Sequence, residues 1–171
     1  MKKGNNKGFS LIELIIVIAI MAVLLVILVP SYLKYVERSR VATDLTNARK
    51  IVSALQIYAA DPNVEELPPT GHERVTTFRS DSPTIQNDPV LGYGIRIDRY
   101  AVHALKAAGL IPQEWADQGR RYPVFFCQSR STWESYTIEY WSDGQGGIAF
   151  EFYQEPTDEY TFRNMMLGNK E

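Results

Sequence analysis

The residue least suited to its surroundings is Glu13, a carboxylate inside the largely apolar segment 9–29. An ionised acid near the middle of a membrane-spanning helix costs about 2.5–3.5 kcal/mol on insertion scales, and less near one end. Two explanations are open: the side chain reaches back to lipid head groups, or it pairs with a cation. An α-amino group created by cleavage just before Phe9 is the nearest candidate cation, because a pKa of roughly 8 keeps it charged at neutral pH.

The other candidate reactive residues form no recognised catalytic or metal-binding motif. His72 and His103 have no second histidine four residues away and no H-E-x-x-H spacing, so a zinc hydrolase has little support. Cys127 is the only cysteine, which excludes an internal disulfide and a cysteine-built zinc site. Its apolar neighbours, residues 124–126, indicate a buried strand residue, because free cysteine usually packs as a small apolar side chain.

The carboxylates elsewhere in the chain also lack the spacing of a reactive site. The pairs Glu65-Glu66 and Asp158-Glu159 are typical of solvated surface, since nothing gathers them in a cleft. Asp143 in the turn WSDGQGG is a possible calcium ligand, but the repeated acidic ligands of an EF-hand loop are missing, so a plain hairpin turn is predicted. We therefore expect no catalytic residue, no metal, no cofactor and no enzyme activity.

The element that carries Glu13, residues 9–30, is predicted to be a transmembrane helix. The positive opening MKKGNNKG suggests a secretory leader, but 21 apolar-rich residues exceed the usual apolar region of roughly 7–15 residues, and no small-x-small site closes them. A helix over residues 9–29 is about 31 Å long, which matches a hydrocarbon core of roughly 30 Å. Lys2, Lys3 and Lys7 favour an amino terminus in the cytoplasm.

The stretch KGFSLIEL resembles the type III signal of type IV prepilins and their relatives: Gly8 precedes Phe9, and Glu13 is the fifth residue from Phe9. In that family a prepilin peptidase cuts after the glycine on the cytoplasmic side and methylates the new amino terminus. The resemblance implies cleavage between Gly8 and Phe9, N-methylation of Phe9, and a role in assembly for Glu13. It extends to Pro30, the twenty-second residue from Phe9, where many such proteins have a proline, and covers about the first 50 residues.

The resemblance implies that the chain is a pilin, the structural subunit of an extracellular type IV pilus. The precursor would sit in the cytoplasmic membrane, and a pilus assembly platform there would polymerise it into a homopolymer on the cell surface. Glu13 would then meet the Phe9 ammonium of a neighbouring subunit, a buried pair that costs roughly 3–5 kcal/mol when half made. Two alternatives stay open: a pseudopilin of a type II secretion or competence system, and a single-pass membrane-anchored binding or enzymatic domain.

The predicted fold is α+β and pilin-like, with one helix over residues 9–60 packed on a small antiparallel sheet. Pro30 lacks an N–H, so the helix should be kinked or locally broken near residues 27–30. Beyond it the pattern is amphipathic, which predicts that residues 31–60 pack on the headpiece. The apolar face is formed by Val41, Leu45, Ala48, Val52, Leu55 and Ala59.

The headpiece, residues 61–171, is predicted from turn signals and alternation. We expect a long loop over 61–98, a short helix over 98–109 capped by Asp98, and a closing segment over 154–171 with a helix at 158–167. Residues 122–153 should form the antiparallel sheet. Its three predicted strands cover residues 122–128, 135–141 and 147–153, with a hairpin turn at 142–146.

The charge is mild overall but unevenly distributed. The formal net charge of −2 becomes −5 without the leader, residues 1–8, so no specific nucleic-acid partner is expected. Residues 31–60 carry five basic and two acidic groups, whereas residues 134–171 carry two basic and eight acidic groups. If these segments of neighbouring subunits meet, the contact should weaken in high salt.

Overall fold

The computed structural model describes residues 9–79, 95–112, 125–156 and 161–169. The chain forms two compact units that divide after Arg38. The helices are α1 (Leu11–Ala60), α2 (Arg99–Ala107) and α3 (Thr161–Leu167), and the strands are β1 (Glu73–Phe78), β2 (Ile95–Arg96), β3 (Ser135–Ser142) and β4 (Ile148–Glu155). A long amino-terminal helix with a small antiparallel sheet confirms the predicted α+β, pilin-like fold class.

In the amino-terminal unit, α1 runs unbroken through Pro30. The helix is therefore not broken near residues 27–30, and the kink predicted there stays a prediction. Proline removes one N–H and crowds one carbonyl, at a cost of about 3 kcal/mol, while the hydrogen bonds on either side keep the helix together. Helices in membranes also tolerate proline, because neighbouring helices, polar side chains or local backbone adjustments satisfy the freed backbone groups.

In the carboxy-terminal unit, four strands form an antiparallel sheet in the order β2-β1-β3-β4. Strands β3 and β4 form the predicted hairpin, with Ile138 opposite Phe152 and Tyr140 opposite Phe150. Alternation directs these four side chains to one face of the sheet. The turn between the strands has positive φ at Gly144 and Gly146, a conformation that glycine adopts without strain.

Two predictions about the headpiece are wrong. Residues 61–98 do not form one long loop, because β1 pairs with β3 over all six of its residues and β2 pairs with β1. The strand predicted over 122–128 is reduced, in its described part, to a single bridge between Cys127 and Arg79. Both errors concern strand pairing, which depends on partners about 60 and 50 residues away along the chain. Residues 80–94 and 122–124, which also belong to these predictions, lie outside the described residues.

The two short helices begin and end near their predicted positions. Asp98 caps α2: its Oδ2 accepts the Tyr100 N–H at 3.0 Å, and its Oδ1 accepts the Tyr140 hydroxyl from β3. Asp98 thereby joins the helix to the sheet. Gly109, at φ +66°, follows the end of α2. Helix α3 forms over Thr161–Leu167, and residues 158–160 of its predicted range lie outside the described residues.

The core of the carboxy-terminal unit contains one face of α1 and the inner face of the sheet. Of the predicted apolar face, Val41, Ala48 and Leu55 are buried, while Leu45 and Val52 are partly buried against them. Full burial of a leucine or isoleucine contributes roughly 1.5–3 kcal/mol. The largest fully buried side chains from the rest of this unit are Trp133, Tyr136, Tyr140, Phe162 and Leu105.

Candidate functional site

The start of α1 holds Glu13 in a specific geometry. Glu13 Oε2 accepts the backbone N–H of Ser10 at 2.9 Å, three residues earlier. Ser10 thus occupies the N-cap position, and its carbonyl accepts the N–H groups of Glu13 at 3.1 Å and Leu14 at 3.3 Å. This is the carboxylate half of a capping box, the S-x-x-E pattern that begins many helices. The carboxylate also lies at the positive end of the helix dipole.

This capping role was missed by sequence reasoning, although the letters SLIE carry the signal. It adds a third explanation for Glu13: its own helix satisfies part of its hydrogen-bonding capacity. A carboxylate has about four acceptor positions, so one N–H from Ser10 leaves room for a further cationic partner. Phe9, the predicted first residue after cleavage, is 81% exposed and precedes the helix. Gly8 lies outside the described residues.

The surface of α1 next to this cap is apolar and uncovered. The large hydrophobic side chains from Leu11 to Val29 are 42–76% exposed. Among the described residues, α1 is long and apolar enough in this part to cross a membrane. A surface of this size without a partner exceeds the apolar patches that monomeric soluble proteins usually expose. Pro30 directly follows it, inside the helix.

A second polar centre lies inside the carboxy-terminal unit, around Asp44 of α1. Asp44 is fully buried, and its carboxylate accepts the N–H groups of Gln128 at 2.7 Å and Ser129 at 3.0 Å. The indole N–H of Trp133 donates to it at 3.0 Å, and the Cys127 thiol at 3.4 Å. Asp44 therefore ties segment 127–133 to the helix.

The electrostatics of this centre follow from its burial. Burial raises the pKa of Asp44, although the hydrogen bonds from Gln128, Ser129, Trp133 and Cys127 oppose the shift. Burial and the neighbouring Asp44 carboxylate raise the pKa of Cys127 far above its ordinary value, which disfavours the thiolate, the nucleophilic form. The expectation that Cys127 is buried is confirmed. Asp44 was missed, although an acid between Val41 and Leu45 interrupts the predicted apolar face.

The outer face of the sheet carries a third set of charged residues. Glu139 on β3 is buried, and its Oε1 accepts two hydrogen bonds from Arg74 of β1, at 3.1 and 3.2 Å. The Nδ1 atom of His72 lies 3.3 Å from the same oxygen. Burial raises the pKa of Glu139, but hydrogen bonds from Tyr153 and Arg74 and the nearby positive charge lower it on balance. The imidazole of His72 stacks on Trp141 at 4.2 Å. These contacts stabilise the sheet and include no nucleophile.

The remaining candidate residues are engaged in local structure. The Nδ1 atom of His103 lies 3.5 Å from Glu65 Oε2, and its Nε2 atom lies 3.8 Å from Glu66 Oε2. These two contacts attach the segment after α1 to α2. Asp143 Oδ1 accepts the N–H groups of Gln145 at 2.7 Å and Gly147 at 2.9 Å, so this carboxylate closes its own turn. Within the described part of the chain, no three His, Cys, Asp or Glu side chains cluster as metal ligands would.

Together these features define a class of protein: an apolar, uncovered amino-terminal helix combined with a small α+β unit that has its own core. The model of the prokaryotic N-terminal methylation motif matches residues 3–29, so the chain carries the signal of type IV pilins and pseudopilins. The predicted resemblance is thereby confirmed. No curated protein and no solved structure matches the chain.

The match also bears on activity and location. The motif is that of a pilin-type, structural protein, and it covers residues 3–29 of this chain. It indicates a substrate of prepilin peptidase, and with the apolar helix it fits a membrane-anchored precursor. The match ends at residue 29, before the headpiece.

Proposed function

We propose that this protein is the pilin of an extracellular type IV pilus, cut between Gly8 and Phe9, methylated at Phe9, and polymerised through residues 9–29. The observation that supports this most strongly is the match of the methylation motif to the same segment in which α1 leaves its large apolar side chains uncovered. A membrane can cover that surface in the precursor. A bundle of identical helices can cover it afterwards.

Glu13 is proposed to select and align each incoming subunit. Its carboxylate already accepts the Ser10 N–H, which holds the side chain at the start of the helix. The ammonium of a neighbour's Phe9 can then approach the same carboxylate, and a buried charge left without that partner costs several kcal/mol. The pair would set the register between neighbouring helices. Pro30 is proposed to end the apolar contact region of the helix.

The proposal is tested by producing the full chain with a prepilin peptidase and a pilus assembly platform. We expect surface filaments in electron micrographs, and mass spectrometry of sheared filaments should show a chain that begins at N-methylated Phe9. A Gly8→Ala variant is the matched control, because it changes one methyl group beside the predicted cut. That variant should remain uncut and give no filaments.

Two results would replace this proposal. A correctly cut chain found only in a short envelope-spanning assembly, without surface filaments, would favour a pseudopilin of a secretion or competence system. An uncut chain that stays in the membrane as single copies would favour an anchored binding or enzymatic domain.

A further inference from the structure

A shallow groove lies on the carboxy-terminal half of α1, beside the end of α2, and has a volume of about 430 Å³. Its most prominent apolar side chain is Ile57, which is 70% exposed. The residues that line it are Thr46, Arg49, Lys50, Ser53, Ala54, Ile57, Ala108 and Leu110. We call this surface the helix groove. It combines apolar side chains with polar and basic ones.

The positive charges of the helix groove are held in different ways. Arg49 donates to the carbonyl oxygen of Met165 at 3.3 Å, so its guanidinium is fixed against α3. Lys50 is exposed and has no ion-pair partner in the described ranges. Lys50 and Ile57 are seven residues apart, which is about two helical turns, or about 10.5 Å. An apolar and a cationic contact are therefore offered on the same side of the helix.

The outer face of β4 presents the opposite chemistry. Glu151, Tyr153 and Glu155 alternate with core residues and so share this face, at intervals of about 6.6 Å. Tyr153 is 40% exposed. Glu151 is paired with Arg163 at 3.5 Å, whereas exposed Glu155 has no ion-pair partner among the residues that the structure describes. We call this surface the β4 face. It offers an aromatic ring and one available carboxylate.

We propose that the helix groove of one subunit binds the β4 face of a second copy, with Ile57 against Tyr153 and Lys50 paired with Glu155. This inference rests on the proposed function, because a filament brings many copies of the chain together. The net charges of the two segments are opposite in sign: residues 31–60 have an excess of three basic groups, and residues 134–171 an excess of six acidic groups. Electrostatic complementarity of this kind selects partners and fixes orientation.

The contact joins two different surfaces, so it is heterologous. Such contacts propagate into open helical assemblies, whereas a contact of a surface with itself closes into a dimer. The groove-to-face contact would therefore repeat at every step of a filament. It would give the headpieces a role in orienting subunits, separate from that of Glu13.

A charge-swap experiment tests the pairing in the full chain, with yields of sheared filaments compared at equal membrane levels. Lys50→Glu and Glu155→Lys should each lower the yield roughly three-fold or more, since each variant replaces an attraction by a repulsion. The double variant Lys50→Glu with Glu155→Lys should restore it. The mismatched double variant Lys50→Glu with Glu65→Lys has the same net charge and places the new lysine outside the β4 face. Because Glu65 contacts His103, the single variant Glu65→Lys is measured beside it, and the mismatched double variant should stay below that single variant.

Equal yields from the wild type and all variants would overturn the contact and leave the proposed filament intact. Recovery by the mismatched variant as well would overturn it too, because net charge alone would then explain the effect. Absence of filaments from the wild type would instead overturn the proposed function, and this contact with it.

Thiol cross-linking tests proximity independently of charge. In filaments of the double variant Ile57→Cys with Tyr153→Cys, a short bifunctional thiol reagent should produce a ladder of dimers, trimers and higher multimers. Either single variant should give none, and the native Cys127 is buried. A ladder absent from the double variant would overturn the contact. Dimers from Tyr153→Cys alone would do the same, in favour of a two-fold contact between β4 faces.

Discussion

The two halves of α1 treat their apolar side chains in opposite ways. From Leu11 to Val29 the large hydrophobic side chains are 42–76% exposed, whereas Ile51 and Leu55 in the second half are fully buried. Both halves are regular helix, so helix propensity does not separate them. The difference lies in the covering surface: the second half packs on a sheet of its own chain, whereas the first half is left exposed by the described residues, and the proposed function covers it with a membrane and then with other copies.

The halves also differ in how they hold a carboxylate. Asp44 is buried and receives four hydrogen bonds from segment 127–133. Glu13 is exposed and receives the Ser10 N–H from its own helix. Asp44 therefore stabilises the fold of its own chain, while Glu13 can still accept a hydrogen bond from a partner.

The largest effect is expected for Glu13, and it separates capping from charge pairing. Glu13→Gln keeps an oxygen that can accept the Ser10 N–H but removes the charge, whereas Glu13→Ala removes both. If Glu13 pairs with the Phe9 ammonium of a neighbour, both variants should be cut before Phe9 yet give at least ten-fold fewer filaments, as expected for about 1.4 kcal/mol or more per subunit. Electron microscopy and amino-terminal mass measure both outcomes. Normal filaments from Glu13→Gln would show that capping is the role.

A smaller but still large effect is expected for Asp44, on folding rather than assembly. Asp44→Ala leaves three N–H donors without their acceptor, and two of them, on Ser129 and Trp133, are buried, so the expected loss is about 3 kcal/mol in the free energy of unfolding. Urea unfolding of the full chain in detergent micelles, followed by tryptophan fluorescence, measures it. Thr46→Ala, an exposed change on the same helix, is the control and should stay within about 0.5 kcal/mol. A similar loss in both variants would contradict the role of Asp44.

The smallest effect concerns pH, where Asp44 and Glu139 should act in opposite directions. The pKa of Glu139 is lowered by folding. Its contribution to the free energy of unfolding is therefore present when the pH is above the ordinary pKa of a glutamate, and it is lost as the pH falls through the folded pKa. The pKa of Asp44 is raised by folding. Its contribution to the free energy of unfolding is therefore full when the pH is below the ordinary pKa of an aspartate, and it decreases as the pH rises through the folded pKa.

Unfolding midpoints measured between pH 3 and pH 7 separate the two groups. As the pH falls from 7 to 3, the Glu139→Gln variant should lose less stability than the wild type. Asp44→Asn should be less stable than the wild type at all pH values but should lose less of its stability as pH rises. Unchanged pH profiles in both variants would contradict these assignments.

The sequence predicted the elements whose signals are local. The apolar segment and the amphipathic face specify α1, alternation at Tyr136, Ile138 and Tyr140 specifies β3, and Asp98 marks the start of α2. Strand β1 was missed because its six residues become a strand through pairing with β3, about 60 residues away. Turn signals around it favoured a loop.

Of the candidate site, the residues of a local motif could be predicted from the sequence, whereas residues brought together by folding could not. Gly8, Phe9 and Glu13 belong to a short motif that can be read in order along the chain. The capping box of Ser10 and Glu13 was equally local but was overlooked. Asp44 depends on donors more than 80 residues away, and the only local sign was an acid within an apolar face. Residues joined by folding alone are beyond what spacing can predict.

In the proposed assembly, residues 9–29 exchange a membrane for neighbouring helices. Cryo-electron microscopy of filaments made by the full chain tests it directly. We expect these residues in the filament interior, with the Glu13 carboxylate within 4 Å of the Phe9 nitrogen of a neighbouring subunit, the distance expected of an ion pair. Filaments in which residues 9–29 face solvent, or in which Glu13 contacts its own helix alone, would contradict it.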